Sequence, residues 1–177
     1  MEKNDTLLQA FEWYLPDDSQ HWNKLKVLAP SFSNLGVTVV WLPPAYKGAG
    51  GVHDVGYGVY DLYDLGEFDQ KGTIPTKYGT KQEYLDAIGA LQKENILVLA
   101  DIVLNQKMGG DTEETIDVIK SDPNNRNEEI GGDYQITAWT KFTFPNRKEK
   151  YSTFTWNASH FDGIDWDEKK KQSAIYL

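Results

Sequence analysis

Cysteine is absent from the 177 residues, so neither a disulfide framework nor thiolate chemistry is available. No run approaches the ~18 consecutive apolar residues of a membrane helix. The opening MEKNDTLLQAF lacks the apolar segment of a signal peptide, so a cytoplasmic location is expected, although a mature secreted form would read the same way. Basic residues are scarce: 18 Lys and Arg stand against 27 Asp and Glu, a formal net charge of −9. Nucleic acid and anionic membrane both require clustered Lys and Arg, so both are excluded as partners. Neutral ligands and divalent cations suit this balance. Internal repeats are missing, and the only compositional run is Lys169 to Lys171.

What the chain does have is aromatic mass, with six Trp, ten Tyr and seven Phe, and enough length for a domain with a core. Residues 7–13 are apolar and aromatic and are expected to form a first strand. Trp22, Leu25, Leu28 and Ala29 recur at helical spacing. Pro30 is expected to kink or end that helix, and Gly36 to stop it. VTVVWL, residues 37–42, is β-branched and apolar on both faces, which suits a buried parallel strand closed by Pro43 and Pro44. Residues 45–78 are Gly-rich and aromatic without helical period, and loops of that length in compact domains usually carry function. Thr80 with Glu83 fits a capping box, and Tyr84, Leu85, Ile88 and Leu91 continue it as a helical stripe. ILVLADIVL, residues 96–104, reads as a third strand. Strand, helix, strand, loop, helix, strand predicts parallel crossovers, with functional loops at the C-terminal strand ends. Residues 107–177 are polar and aromatic, an irregular, β-containing excursion.

In residues 52–68, Gly56 and Gly58 flank Tyr57 and allow the backbone to bend around an exposed ring. Such rings suit the apolar faces of sugars. The competing reading is that Tyr57, Tyr60 and Tyr63 only pack the loop. Asp101 and Asn105 share one face if 101–105 is a strand, with Asn105 offering a hard amide oxygen suited to Ca²⁺. The acidic HFDGIDWDE, residues 160–168, lacks the ligand spacing of an EF-hand and also reads as a solvated turn. Glu12, Asp54, Asp61, Asp64 and Asp101 are carboxylates of the type a glycosidase uses, but their spacing singles out no acid/base pair.

LLQAFEWYLPDDSQHW, VVWLPPAYKG, DVGYGVYDLYDLGEFDQKGT, TKYGTKQE, DIVLNQK and HFDGIDWDE together resemble the N-terminal part of the bacterial liquefying-type α-amylases, over essentially the whole chain. The resemblance implies an α/β fold: the first three strands of a (β/α)8 TIM barrel (residues 1–105, domain A), then the start of an irregular β-rich domain B (residues 106–177). It implies endo-hydrolysis of internal α-1,4-glucosidic bonds of starch or glycogen by a retaining mechanism, with the three catalytic carboxylates beyond Leu177. No catalytic residue is therefore assigned. Tyr57 matches the aromatic sugar platform, and Asp101 and Gln106 face the sugar site. Asn105 matches a ligand of the structural Ca²⁺ between domains A and B, and Asp162 a domain B carboxylate of the metal cluster. Gln106 departs from the family, which usually has His there; Gln can donate a hydrogen bond but cannot become a cation.

Two readings follow. In the first, the chain is the N-terminal portion of an α-glucan hydrolase that needs the rest of its barrel. In the second, it is a truncated non-catalytic product that at most binds sugar. Three strands cannot close a barrel, so sheet edges stay open and the isolated chain is expected to be poorly soluble or partly molten.

Overall fold

The computed structural model describes residues 4–132 and 134–177. The chain divides into two compact units, Met1–Gly109 with Asn146–Tyr151, and Gly110–Pro145 with Ser152–Leu177.

The first unit runs β1 (Leu7–Gln9), α1 (His21–Asn34), β2 (Val39–Leu42), β3 (Lys47–Gly48), β4 (Val59–Asp61), α2 (Lys81–Lys93) and β5 (Leu97–Ala100). β1, β2 and β5 form a parallel sheet in that order, and β3 pairs antiparallel with β4. Parallel neighbours need a crossover, and α1 and α2 lie within the two connections. α2 starts where Thr80 caps it: the Thr80 side chain accepts from the Glu83 amide, and Glu83 accepts from the Thr80 amide at 2.8 Å. α1 buries Trp22, Leu25 and Ala29, while Leu28 turns outward. Pro30 lies inside α1 and does not end it. It sits on the exposed face, where water can take the carbonyl bond that its missing N–H leaves open. Gly36, at φ +80°, ends the helix.

Three strands are shorter than the sequence reading, β2 among them, which covers Val39–Leu42 rather than 37–42. β1 stops at Gln9 rather than residue 13, and β5 covers Leu97–Ala100 rather than 96–104. The register explains β5. Its last partner is Leu42, opposite Ala100, and Pro43 and Pro44 follow with no N–H to extend the ladder. Residues 101–105 are therefore not a strand, and the strand alternation expected to align Asp101 with Asn105 does not apply.

One sheet face carries the core. Val40 and Leu42 pack with Trp22, Leu25, Ala29, Tyr84, Ala87 and Leu91, and Leu8 and Val98 sit against this cluster. The opposite rows, Leu7–Val39–Leu97 and Gln9–Trp41–Leu99, are poorly covered. Leu7, Leu97 and Leu99 are 54%, 60% and 49% exposed.

The second unit is all β. β6 (Thr112–Val118) pairs antiparallel with β8 (Tyr134–Lys141). β7 (Lys120–Ser121), β10 (Gln172–Tyr176) and β9 (Ile164–Asp167) form a second sheet in that order. Val118, Ile136, Ala138 and Tyr176 make its core. Alternation along β8 buries Ile136, Ala138 and Thr140 and leaves Trp139 partly exposed. Among the described residues, no helix is long and apolar enough to cross a membrane.

Candidate functional site

The site is built on the loop between β3 and β4. A short 3-10 turn, Gly51–His53, leads into Asp54, and the chain then passes Gly56, Tyr57 and Gly58. The Tyr57 hydroxyl donates to Asp101 Oδ2 at 2.8 Å. The Gln106 side-chain amide donates to the Tyr57 carbonyl at 3.1 Å. Asp101 follows β5 directly, and its amide is held by the Leu42 carbonyl at 3.3 Å. Tyr57 is thus brought to Asp101 and Gln106, more than 40 positions further along the chain. Partial burial, reinforced by the Asp101 carboxylate, pushes the Tyr57 phenol up to about 12, so it stays a neutral donor at ordinary pH.

A second aromatic belongs to the site and was not singled out from sequence. Trp13 lies parallel to Tyr57, the planes 4° apart and the centroids 6.2 Å apart, and it is 62% exposed. The two rings are stacked, and the indole offers exposed apolar area beside the Tyr57 phenol. Its only sequence signal was the aromatic run before residue 15, which was read as strand. Of the other two loop tyrosines, Tyr60 is buried and packs the loop, whereas Tyr63 is half exposed.

The base of the loop is a buried polar network. Lys47 is fully buried, and its Nζ donates to the carbonyls of Phe68 (3.2 Å), Thr73 and Ile74 (2.7 Å), 3.6 Å from Asp64. Burial lowers the Lys47 pKa, with Asp64 acting against that shift. Asp64 Oδ1 accepts from the amides of Gly66, Glu67 and Phe68. The Gln70 amide bridges Asp61 and Asp64 at 2.9 and 3.0 Å, and Arg147 Nε donates to Asp61 at 2.9 Å. Asp61 and Asp64 are therefore structural ions. Asp54 accepts backbone amides, and Glu12 accepts the Tyr14 amide. Neither geometry makes an acid/base pair.

The candidate metal ligands belong to different units. Asn105 is exposed, and its Nδ2 donates to Gln106 Oε1 at 3.2 Å, leaving its own carbonyl oxygen open. Asp162 is exposed and belongs to the other unit. Among the described residues, no three or more His, Asp or Glu side chains group so as to hold a metal ion. Ca²⁺ takes 6–8 oxygens, so these residues do not by themselves form a calcium site.

Comparison with known proteins agrees with this architecture. An α-amylase from Geobacillus stearothermophilus is 56% identical over 98% of this chain and 31% of its own length. A glucan 1,4-α-maltohexaosidase from Bacillus sp. (strain 707) is 51% identical over 98% and 33%. The cytoplasmic α-amylase of Escherichia coli (strain K12) is 47% identical over 98% and 35%. The chain therefore spans about a third of the length of the curated relatives it matches. The crystal structure of truncated alternansucrase from Leuconostoc mesenteroides NRRL B-1355 superposes with a TM-score of 0.71 at 25% identity, covering 83% of this chain and 14% of that one. The α/β arrangement is thus a partial barrel of glycoside-hydrolase type. The model of the α-amylase catalytic domain matches residues 25–177, and the chain belongs to that family.

Proposed function

We propose that the chain is the N-terminal portion of an endo-acting α-amylase that cuts internal α-1,4-glucosidic bonds of starch or glycogen with retention. Residues 1–105 would supply the first three strands of the (β/α)8 barrel, and residues 106–177 the beginning of domain B. The observation that carries the reading is the Tyr57 ring, hydrogen-bonded through its hydroxyl to Asp101 and through its carbonyl to Gln106, with Trp13 parallel beside it. A sugar ring has apolar C–H faces and a polar rim, and this arrangement meets both. Likeness to alternansucrase, solved in complex with isomaltotriose and isomaltononaose, supports a glucan ligand.

Tyr57 is the stacking platform in this reading. Asp101 fixes its tilt and leaves Oδ1 for a sugar hydroxyl. Gln106 holds the Tyr57 backbone rather than acting as an acid. A retaining glycosidase needs two carboxylates ~5 Å apart across the scissile bond. Residues of this chain bind and orient the sugar, and the carboxylates that break the bond would come from residues after Leu177. The test is titration of the chain with maltoheptaose, followed by tryptophan fluorescence. Saturable quenching that Tyr57→Ala weakens about tenfold or more is expected, given the ~1.4 kcal/mol that a lost stacking ring readily exceeds. Saturable binding unchanged by Tyr57→Ala would remove Tyr57 from the site. Release of reducing ends from starch by this chain alone would overturn the placement of the carboxylates.

Asn105 and Asp162 are each proposed as one oxygen ligand of structural Ca²⁺, the remainder coming from later residues. Calcium titration of a chain extended to the length of its relatives should show weaker affinity in Asn105→Ala. Equal affinity removes Asn105 from the shell.

A further inference from the structure

Asp54 is a carboxylate that neither the platform nor the buried network uses, and its surroundings are unusual. Its Oδ1 accepts from the amides of Gly56 at 2.8 Å and Gly58 at 3.2 Å, and its Oδ2 from the amide of Gly50 at 3.1 Å. Gly56 and Gly58 are the residues on either side of Tyr57, so one oxygen holds an amide before the ring and an amide after it. The glycines are required sterically. A Cβ on Gly58 would stand 2.4 Å from Asp54 Oδ2, and one on Gly48 2.2 Å from Asp54 Cγ. Gly56 has φ +97°, and its Cβ would stand 2.6 Å from that of Pro44. At two positions, Gly48 and Gly58, a side chain is excluded by the carboxylate itself; at Gly56 it is excluded by Pro44 and the positive φ. Hydrogen bonds to an ionised acceptor are about twice as strong as neutral ones. The far side of the same segment is tied as well, the Ala49 amide donating to the Gly58 carbonyl at 2.7 Å.

We infer that Asp54 is the positioning residue of the Tyr57 platform: its carboxylate clamps the Gly56 and Gly58 amides and so fixes the angle at which Tyr57 meets Asp101 and the sugar. The inference rests on the sugar-platform reading for its consequence, but not for its geometry. A platform fixed in advance saves the ordering cost that a mobile ring would pay on binding. Asn at this position keeps an oxygen for the two flanking amides and loses only the acceptor facing Gly50. Ala loses all three bonds.

The test uses the full chain labelled with 3-fluorotyrosine, at concentrations below self-association, with the Tyr57 ¹⁹F line assigned by its loss in Tyr57→Phe. The wild-type line should be single and should move in Asp101→Asn. In Asp54→Ala the Tyr57 line should shift toward free fluorotyrosine or split, while the lines of Tyr134 and Tyr176, in strands of the second unit, stay in place. Asp54→Asn should restore the wild-type line. If Asp54→Ala does not fold, Gly58→Ala serves instead, because its Cβ must displace the carboxylate, and the same shift is expected. A Tyr57 line that stays unmoved in the folded variant overturns the assignment. Maltoheptaose is then titrated into each variant: affinity should fall about tenfold in Asp54→Ala and recover in Asp54→Asn. If the sugar moves no wild-type line, the platform reading fails, and the positioning of Tyr57 is decided by the ¹⁹F shift alone.

Discussion

Lys47 shows how a single residue can carry a loop. A buried ammonium is costly unless it is paired and its protons are accepted. Here three carbonyls and Asp64 meet it, and all three carbonyls come from the far end of the same long loop, at residues 68–74. The side chain pins β3, from which the loop that presents Tyr57 departs, to the segment that follows β4. Lys47→Met keeps the volume and removes the charge. It strips Asp64 of its cation and leaves the carbonyls of Phe68, Thr73 and Ile74 without this donor. Breaking a buried pair by deleting one partner costs about 3–5 kcal/mol, so the urea midpoint of the first unit should fall markedly. A midpoint within experimental error of wild type would show that Asp64, through Gln70 and the three amides it accepts, is already satisfied without Lys47.

At the scale of elements, Glu67 latches two segments. It accepts from Lys81 at 2.9 Å, from the Tyr151 hydroxyl at 2.8 Å and from Lys150, joining the start of α2 to the returning segment 146–151. The bonds from Lys150 and Lys81 lower the Glu67 pKa to about 2 from an ordinary value near 4.5. A carboxyl depressed on folding contributes stability above its unfolded pKa, and that contribution is lost as pH falls through the folded value. Hydrogen-exchange protection at residues 146–151 should therefore hold from neutral pH to about 4.5 and decline toward about 2. Glu67→Gln should remove the step; a step of the same size in that variant would assign it to another group. The latch joins residues more than 80 positions apart, and nothing in the local sequence announces it. The legible features were local ones. The Thr80–Glu83 box and the 3.6-residue stripe behind it located α2, and the β-branched run located β2. The length of β5 was not legible, because it depends on a neighbour whose prolines end the ladder. Tyr57 was legible because its flanking glycines are adjacent in sequence. Trp13 was not, because its place beside Tyr57 is fixed only by tertiary structure.

On the scale of the whole molecule, the question is what the uncovered sheet face does. β1 and β5 each pair on one side only among the described strands, so the sheet has two open edges. One face is packed by helices, and the other presents Leu7, Leu97 and Leu99 about half exposed. In a closed (β/α)8 barrel the inward face is filled by layers of side chains from all eight strands. Here three strands supply such rows without partners, and exposed apolar strand edges are templates for association. The chain should therefore associate as its concentration rises, detectable as species heavier than 20.2 kDa in sedimentation velocity. Leu97→Lys with Leu99→Lys places charge on that face at positions already open to solvent, so folding of the helix-side core should survive. The double variant should sediment as a monomer over the same range and bind less of a hydrophobic dye. Equal association in both chains would mean that contact is made elsewhere and not through this face.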